Sequence, residues 1–397
     1  MKSNIFCGLD IGSSKLTAIL AKSDKRRIEV LATAVSAVSG LSKGVVNNLA
    51  DLSDCIQQTL DKLNKETESK IKRVLVSING DYVRAYPAFA MVALSERGNH
   101  QISLSDMDYL RKQTRLLGMR IDETILHEFP QGYILDDTHS VVNPLGLLAR
   151  KIRLDSYILS ASYASLENIK TAVQQSGYEV ADIVYSGVAS GLGVLSDEER
   201  KDGSLLIDFG ACFTGLLFFK DNILREFKMI PFGGSDITAD ISKSLELPWD
   251  LAEDIKKSSL ILSAQEQLNS EKIVVRRGSS YKTLEKKDVY EAAKARLDEL
   301  LNKIKEAIDS SSWKDSMKCG VVGVGGAANL EGLLEKIEAY VNMPIKLGSV
   351  KNASSRGSVL GPQFSAAAGL IYYGSNSKNL PSLKSYITGK TAREKIT

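Results

Sequence analysis

Asp10 and Asp208 each stand two residues ahead of a glycine, Gly12 and Gly210, between two apolar runs. The first copy reads Ile5-Phe6-Cys7-Gly8-Leu9-Asp10-Ile11-Gly12-Ser13-Ser14-Lys15-Leu16. The second reads Leu205-Leu206-Ile207-Asp208-Phe209-Gly210-Ala211-Cys212-Phe213-Thr214. An apolar strand, a small polar turn and a second apolar strand predict a β-hairpin with a phosphate-sized tip. Glycine at the tip lets backbone N–H groups approach an anion without a Cβ in the way. The hydroxyls of Ser13, Ser14 and Thr214 add donors, and Lys15 adds a fixed positive charge. Asp10 and Asp208 would repel phosphate directly, so they read as holding Mg2+ through its waters. Single Asp-x-Gly turns are widespread. Two copies far apart in one chain predict two related halves that grip one nucleotide from opposite sides.

Other segments fit around that nucleotide. Gly320-Val321-Val322-Gly323-Val324-Gly325-Gly326-Ala327-Ala328-Asn329 reads as a buried strand, a glycine turn and a helix start. Such an open turn lets a flat ring or a phosphate lie on the backbone. It lacks the acidic residue of a dinucleotide fingerprint, and alone it would be an ordinary strand-to-helix turn. Glu253 and Lys256 are spaced i, i+3 and so reach one point from one helix face. Alone, that pair is usually a surface ion pair. From Thr283 to Ser310 the spacing predicts a long amphipathic helix that buries Val289, Ala293, Leu297, Leu300, Leu301, Ile304 and Ile308.

The frame that must carry these residues is set by composition. The chain has 397 residues, 43% hydrophobic and 25% charged, which is ordinary for a globular protein of two to three domains. A net charge of +3 is too near neutral to mark a nucleic-acid binder, and none is expected as a partner. Cys7, Cys55, Cys212 and Cys319 are scattered, which supports neither a metal site nor a disulfide framework and fits a reducing cytoplasm. His100, His127 and His139 lack metal-ligand spacing. Met1 to Asn4 run directly into a strand-like segment, so no signal peptide is expected. The uncharged stretch from Gly357 to Ser377 is too interrupted by polar residues to span a membrane.

Asp10 to Lys15, Asp208 to Thr214 and Gly323 to Gly332 resemble the two phosphate motifs and the adenosine motif of the actin-like ATPase superfamily. Within it the chain most resembles the bacterial cell-division family FtsA. Ile230-Pro231-Phe232-Gly233-Gly234-Ser235-Asp236-Ile237-Thr238 is similar to that family's connecting stretch, and Ala252-Glu253-Asp254-Ile255-Lys256 to its nucleotide-binding helix. Phe364-Ser365-Ala366-Ala367-Ala368-Gly369-Leu370 resembles its closing helix. Between Val74 and Leu195, Val76-Ser77-Ile78-Asn79-Gly80, His127-Glu128-Phe129-Pro130-Gln131-Gly132-Tyr133 and Asn143-Pro144-Leu145-Gly146 follow the order of the subdomain peculiar to FtsA.

The resemblance implies an α/β fold: two-lobed, actin-like, with duplicated ribonuclease-H-like cores and an FtsA-type inserted subdomain. Residues 1–80, 165–200 and 362–378 would form the first core and 81–164 the insertion. Residues 201–240 and 315–361 would form the second core, 241–314 a smaller subdomain and 379–397 a flexible tail. It also implies ATP and Mg2+ as ligands, with Glu253 and Lys256 near ribose and adenine. Gly233, Gly234, Gly325, Gly326 and Asn329 would complete the base pocket.

Implied partners are a second copy in a head-to-tail filament, later division proteins and the C-terminal tail of FtsZ, the last docking near Arg296. The expected place is the inner face of the cell membrane at the division site, held there weakly. The tail from Asn379 to Thr397 has helical spacing at Leu383, Tyr386 and Ile387, yet Gly389 interrupts it and no Trp or Phe anchors it.

One departure from the family pattern stands at Cys212, where a glycine is usual. Cysteine takes a positive φ less cheaply, so looser phosphate cradling and slow hydrolysis at most are expected. Two other readings compete. A PilM-like ATP-binding module of pilus assembly shares the implied fold and insertion. A small-molecule kinase of the same superfamily would need a catalytic Asp base and a substrate pocket, for which no segment is found.

Overall fold

The computed structural model describes residues 4–23, 27–67, 70–95, 98–262, 271–277, 280–351, 353–354 and 360–376. The expected tail, 379–397, lies outside them. The chain starts with β1 (Asn4–Ile11), which turns back into β2 (Lys15–Ser23), and β2 pairs with β3 (Ile28–Ala37). Helix α1 (Leu49–Thr67) is capped by Asn48, whose Oδ1 accepts from the N–H groups of Ala50 and Asp51 at 3.1 and 3.3 Å. It buries Leu52, Ile56, Leu60 and Leu63, the one-face spacing of an amphipathic helix. Strand β4 (Arg73–Ile78) then runs parallel to β1.

The insertion follows as β5 (Val83–Ala93), α2 (Leu104–Leu116), β6 (Glu123–Leu135) and β7 (Lys151–Ser162). Its sheet is antiparallel, in the order His139–Val141, β6, β7, β5. Alternation in β7 sends Ile152 and Leu154 inward to pack with Ala90 and Leu110 of α2. The chain then returns to the first sheet through α3 (Tyr163–Gln175), β8 (Glu179–Tyr185) and α4 (Ser186–Val194).

The second lobe repeats the wiring of the first. Strands β9 (Ser204–Phe209), β10 (Thr214–Lys220) and β11 (Ile223–Ile230) form an antiparallel meander. After α5 (Gly234–Ser244), α6 (Trp249–Ser259) and α7 (Lys286–Asp309) come β12 (Val321–Val324), α8 (Leu333–Val341) and β13 (Ile345–Leu347). Strand β12 runs parallel to β9, and β13 parallel to β12. The sheet orders are therefore β8-β4-β1-β2-β3 and β11-β10-β9-β12-β13, the same pattern twice. One buried core joins the first sheet to the face of the second that carries Leu206, Leu217 and Val322, and another core covers the opposite face of the second sheet. This is the duplicated α/β arrangement that the sequence implied.

Two details differ from the sequence reading. Thr283, Leu284 and Glu285 are not the start of α7. They pair with Val274, Ile273 and Lys272 in a short hairpin, and the helix begins at Lys286 with the expected face buried. Ala353–Ser354, near the end of the stretch assigned to the second core, hydrogen-bonds to β3 of the first sheet.

The last helix, α9 (Ser365–Asn376), lies against α4 at a spacing only glycine permits. A Cβ at Gly369 would fall 1.7 Å from the Ala189 carbonyl oxygen, and one at Gly193 would fall 2.4 Å from that of Ser365. Among the described residues, no helix is long and apolar enough to cross a membrane.

Candidate functional site

The two hairpin tips close in the same way. Gly12 N–H donates to the Lys15 carbonyl at 3.1 Å, and Gly210 N–H donates to the Phe213 carbonyl at 3.0 Å. A Cβ at Gly12 would sit 2.9 Å from that Lys15 oxygen, and one at Gly210 would sit 2.7 Å from that of Phe213. These contacts superpose Cys212 on Ser14 and Thr214 on Leu16. The backbone at Cys212 lies outside the left-handed region, so this loop does not need a glycine there. The strain that the sequence suggested at Cys212 is absent; Gly210 makes the close approach.

Asp10 and Asp208 end β1 and β9 and meet at the floor between the lobes. Burial pushes the Asp10 carboxyl up to about 6, against the Ser77 hydrogen bond and the Lys15 charge. Burial, together with the Asp10 charge, pushes Asp208 up to about 7. Ser77 Oγ donates to Asp10 Oδ1 at 2.7 Å, while the Thr17 hydroxyl directly across from Asp10 is buried and unpartnered. Two buried carboxylates with few counter-charges fit a divalent cation between them. Among the described residues, no group of three or more His, Cys, Asp or Glu gathers as a metal cage.

Lys15 crosses toward the second lobe. Burial lowers its ammonium below the usual lysine value, opposed by the charge of Asp10 and, more weakly, Glu253. Its Nζ is 3.4 Å from where a Cβ of Gly326 would stand. Gly325, at φ +88°, is required as glycine: a Cβ would fall 2.5 Å from the Phe209 carbonyl oxygen and 2.7 Å from Asp208 Oδ1. The expected helix start after this turn lies further on. A short 3-10 turn, Ala327–Asn329, intervenes before α8. Asn329 Nδ2 donates to Gly326 O at 3.3 Å and to Gln363 Oε1 at 3.4 Å.

Glu253 and Lys256 occupy one face of α6 and pair at 2.6 Å. Lys256 Nζ is buried and also donates to Gly234 O and Thr238 Oγ1, each at 2.8 Å. Burial lowers the Lys256 ammonium, against the support of Glu253. Burial alone would raise Glu253, but hydrogen bonds from Lys256 and Thr238 hold it below the usual carboxylate value. The pair thus braces the glycine turn that opens α5, whose Gly233 lies too close to Gly210 O, 2.4 Å from a Cβ, for a side chain.

Asp10, Lys15, Asp208, Gly325 and Gly326 come together, with Gly233, Gly234, Glu253 and Lys256 on the adjoining wall. Ser13 and Ser14 lie at the first tip, half-buried and exposed. Thr214 is buried, and its hydroxyl donates to Phe232 O at 3.1 Å, which ties β10 to the stretch before α5. Arg296 lies on α7 with its guanidinium committed to Asp240 at 3.0 Å and Glu299 at 2.7 Å. Sequence reasoning missed Ser77 and Thr238. The signal for Ser77 was a hydroxyl inside an otherwise apolar strand, in register with Asp10.

The comparisons with known proteins agree with this frame. The family model described as "Cell division protein FtsA" matches residues 205–369, and "SHS2 domain inserted in FTSA" matches residues 80–160, the range of the inserted sheet. The chain is 28% identical to the cell division protein FtsA of Pseudomonas aeruginosa over 373 residues, 92% of this chain and 88% of that protein. It is 26% identical to that of Borreliella burgdorferi over 406 residues, 100% and 97% of the two chains.

Solved structures similar in fold include a chain of the PilM-PilN type IV pilus biogenesis complex, with TM-score 0.66 and 17% identity over 94% of this chain and 99% of that one. MreB5 of Spiroplasma citri bound to ADP is similar at TM-score 0.58 and 12% identity, covering 95% and 99%. With the two family models covering the insertion and most of the second lobe, and relatives aligned along nearly the whole chain, this protein belongs to the FtsA family of actin-like cell-division proteins.

Proposed function

We propose that the chain binds ATP with Mg2+ in the cleft and works as a filament-forming adaptor of cell division. The observation that carries this reading is the meeting of Asp10 and Asp208, from two hairpins of identical closure, on one buried floor. A cation there would offset both carboxylates and complete its shell with water and phosphate oxygens. Lys15 and the tip N–H groups would face the phosphates, and the glycine turns at Gly234 and Gly325–Gly326 would take the base. ATP would act mainly as an assembly switch that holds the lobes together, with slow hydrolysis at most.

Within that function the adaptor would join FtsZ to the cytoplasmic face of the membrane and recruit later division proteins. The FtsZ tail would dock beside α7, where an acidic peptide has to exchange with Asp240 and Glu299 for Arg296. A solved structure of similar fold is a double helical filament of MamK, which supports head-to-tail self-assembly as the geometry to test. The PilM likeness concerns fold alone, and the matched insertion model favours the division reading.

The test is negative-stain electron microscopy of the purified chain with Mg-ATP, in solution and on a lipid monolayer. Filaments in both settings are expected. If ATP binds and no filaments form in either setting, the adaptor polymer is wrong and a monomeric partner-binding module takes its place.

A further inference from the structure

Among the described residues, Asn79 Oδ1, Tyr82 Oη and Ser186 Oγ are buried without a hydrogen-bond partner, as is the Thr17 hydroxyl across from Asp10. Ile11 and Tyr185 both lie opposite Ile78 in the parallel ladders. Gly12, Asn79 and Ser186 therefore leave the first sheet side by side, one residue further on. The Tyr82 ring folds back over Gly80, where a Cβ would lie 2.3 Å from it. Tyr185 connects this row to the second lobe. Its hydroxyl is 3.3 Å from the Cβ position of Gly215, the residue directly across from Asp208. Burial raises the Tyr185 phenol, and the charges of Asp208 and Tyr82 add to that.

Ser186 also opens α4, a helix buried along its whole length whose N-cap residue supplies no side-chain bond. The first-turn N–H groups of a helix have no partners within it, and its N-terminus carries partial positive charge. Ser186 itself is only 5% exposed. Buried polar atoms left without protein partners around one space are where a structural water resides.

We propose that Asn79, Tyr82 and Ser186 hold a water molecule beside the terminal phosphate of a bound nucleoside triphosphate and position it as the hydrolytic nucleophile. This rests on the nucleotide reading above. Asn79 Oδ1 and Ser186 Oγ accept the water's two protons, and the Tyr82 hydroxyl donates to one of its lone pairs. The other lone pair faces phosphorus. The water oxygen bonds to the terminal phosphorus while the bond from phosphorus to the bridging oxygen breaks. The bridging oxygen keeps that electron pair and leaves with the nucleoside diphosphate. One water proton stays on the released phosphate and the other passes to solvent. None of the three groups is a base near neutral pH, so the water is oriented and not activated, which accounts for slow turnover.

The test compares the full chain with Ser186→Ala and Tyr82→Phe, using fluorescent ATP and ADP analogues for affinity and phosphate release for turnover. Both variants should bind ATP within about threefold of the parent and melt near it, while turnover at saturating ATP falls about tenfold or more. A crystal structure with a non-hydrolysable ATP analogue should show a water hydrogen-bonded to Ser186 and Asn79, displaced or disordered in Ser186→Ala. If the parent binds no nucleotide, the site reading itself fails. If the parent binds ATP, this inference alone is overturned by unchanged turnover in both variants, by no turnover in the parent, or by no water at Ser186 in the complex. Loss of affinity in step with turnover also overturns it and makes the cluster structural.

Discussion

The Tyr157 hydroxyl brackets the backbone of Phe227. It accepts from the Phe227 N–H at 3.1 Å and donates to the Phe227 carbonyl at 3.3 Å. Phe227 belongs to β11, the edge strand of the second sheet, so a side chain of the insertion takes the place of a missing neighbouring strand. Gln131 adds to this by donating to Leu224 O at 3.0 Å, and Arg225 returns bonds to Gln131 O and Oε1 at 3.2 and 3.0 Å. The insertion is thereby attached to the hairpin whose other end carries Thr214 and leads to α5.

Tyr157→Phe removes both Phe227 bonds and keeps the ring. The expected cost is about 1 to 3 kcal/mol, since two backbone groups lose their partner. Hydrogen exchange should accelerate in β11 and in β6 before any other strand. Unchanged protection in β11 would mean the bracket contributes nothing in solution.

Asp10 and Asp208 make stability depend on pH in an inverted direction. Both carboxyls are raised, to about 6 and about 7, so the folded state keeps protons that the unfolded chain has released above roughly pH 4. Without Mg2+ and nucleotide, stability should fall as pH rises through the window from roughly 4 to 7. The scale is about 1.4 kcal/mol for each tenfold difference in proton affinity between the folded and unfolded chain. Asp208→Asn should flatten the thermal-melting profile and raise the melting temperature at pH 8. Mg-ATP should stabilise the parent more at pH 8 than at pH 5.5. A parent profile parallel to that of Asp208→Asn would rule the coupling out.

Gly369→Ala tests the crossing of α4 and α9. The new Cβ would need the space of the Ala189 carbonyl oxygen, 1.7 Å away, and neither helix backbone can yield locally. A loss of about 4 kcal/mol or more is expected, seen as insoluble expression or a collapsed denaturant midpoint. Gly98→Ala, on an open loop with nothing near its Cβ position, costs only the strain of its positive φ and serves as the control.

Cys212 reports on the cleft by its reactivity. Cys319 is exposed, Cys55 and Cys212 are half-buried, and burial pushes the Cys7 thiol up to about 12. Iodoacetamide labelling followed by peptide mass spectrometry should find Cys319 modified first and Cys7 spared. Mg-ATP should slow modification of Cys212 and leave Cys319 and Cys55 unchanged. Equal rates at Cys212 with and without nucleotide would place the phosphates elsewhere.

Much of this architecture was already written in local sequence. The Asp-x-Gly hairpins are built from adjacent residues, so apolar alternation and a glycine at the tip were sufficient to predict both. The buried face of α7 followed from its spacing for the same reason. What local pattern could not decide was which polar side chains would be spent on the protein itself. Thr214 reads as a phosphate donor until Phe232 O, eighteen positions on, is found beside its hydroxyl. Lys256 and Arg296 likewise read as ligand contacts until Gly234, Thr238, Asp240 and Glu299 are seen to hold them. The same holds in reverse for Asn79, Tyr82 and Ser186, to none of which the sequence assigned a role at the site. Their lack of partners exists only once parallel pairing has brought three strand ends together and burial has removed the solvent that would have satisfied them.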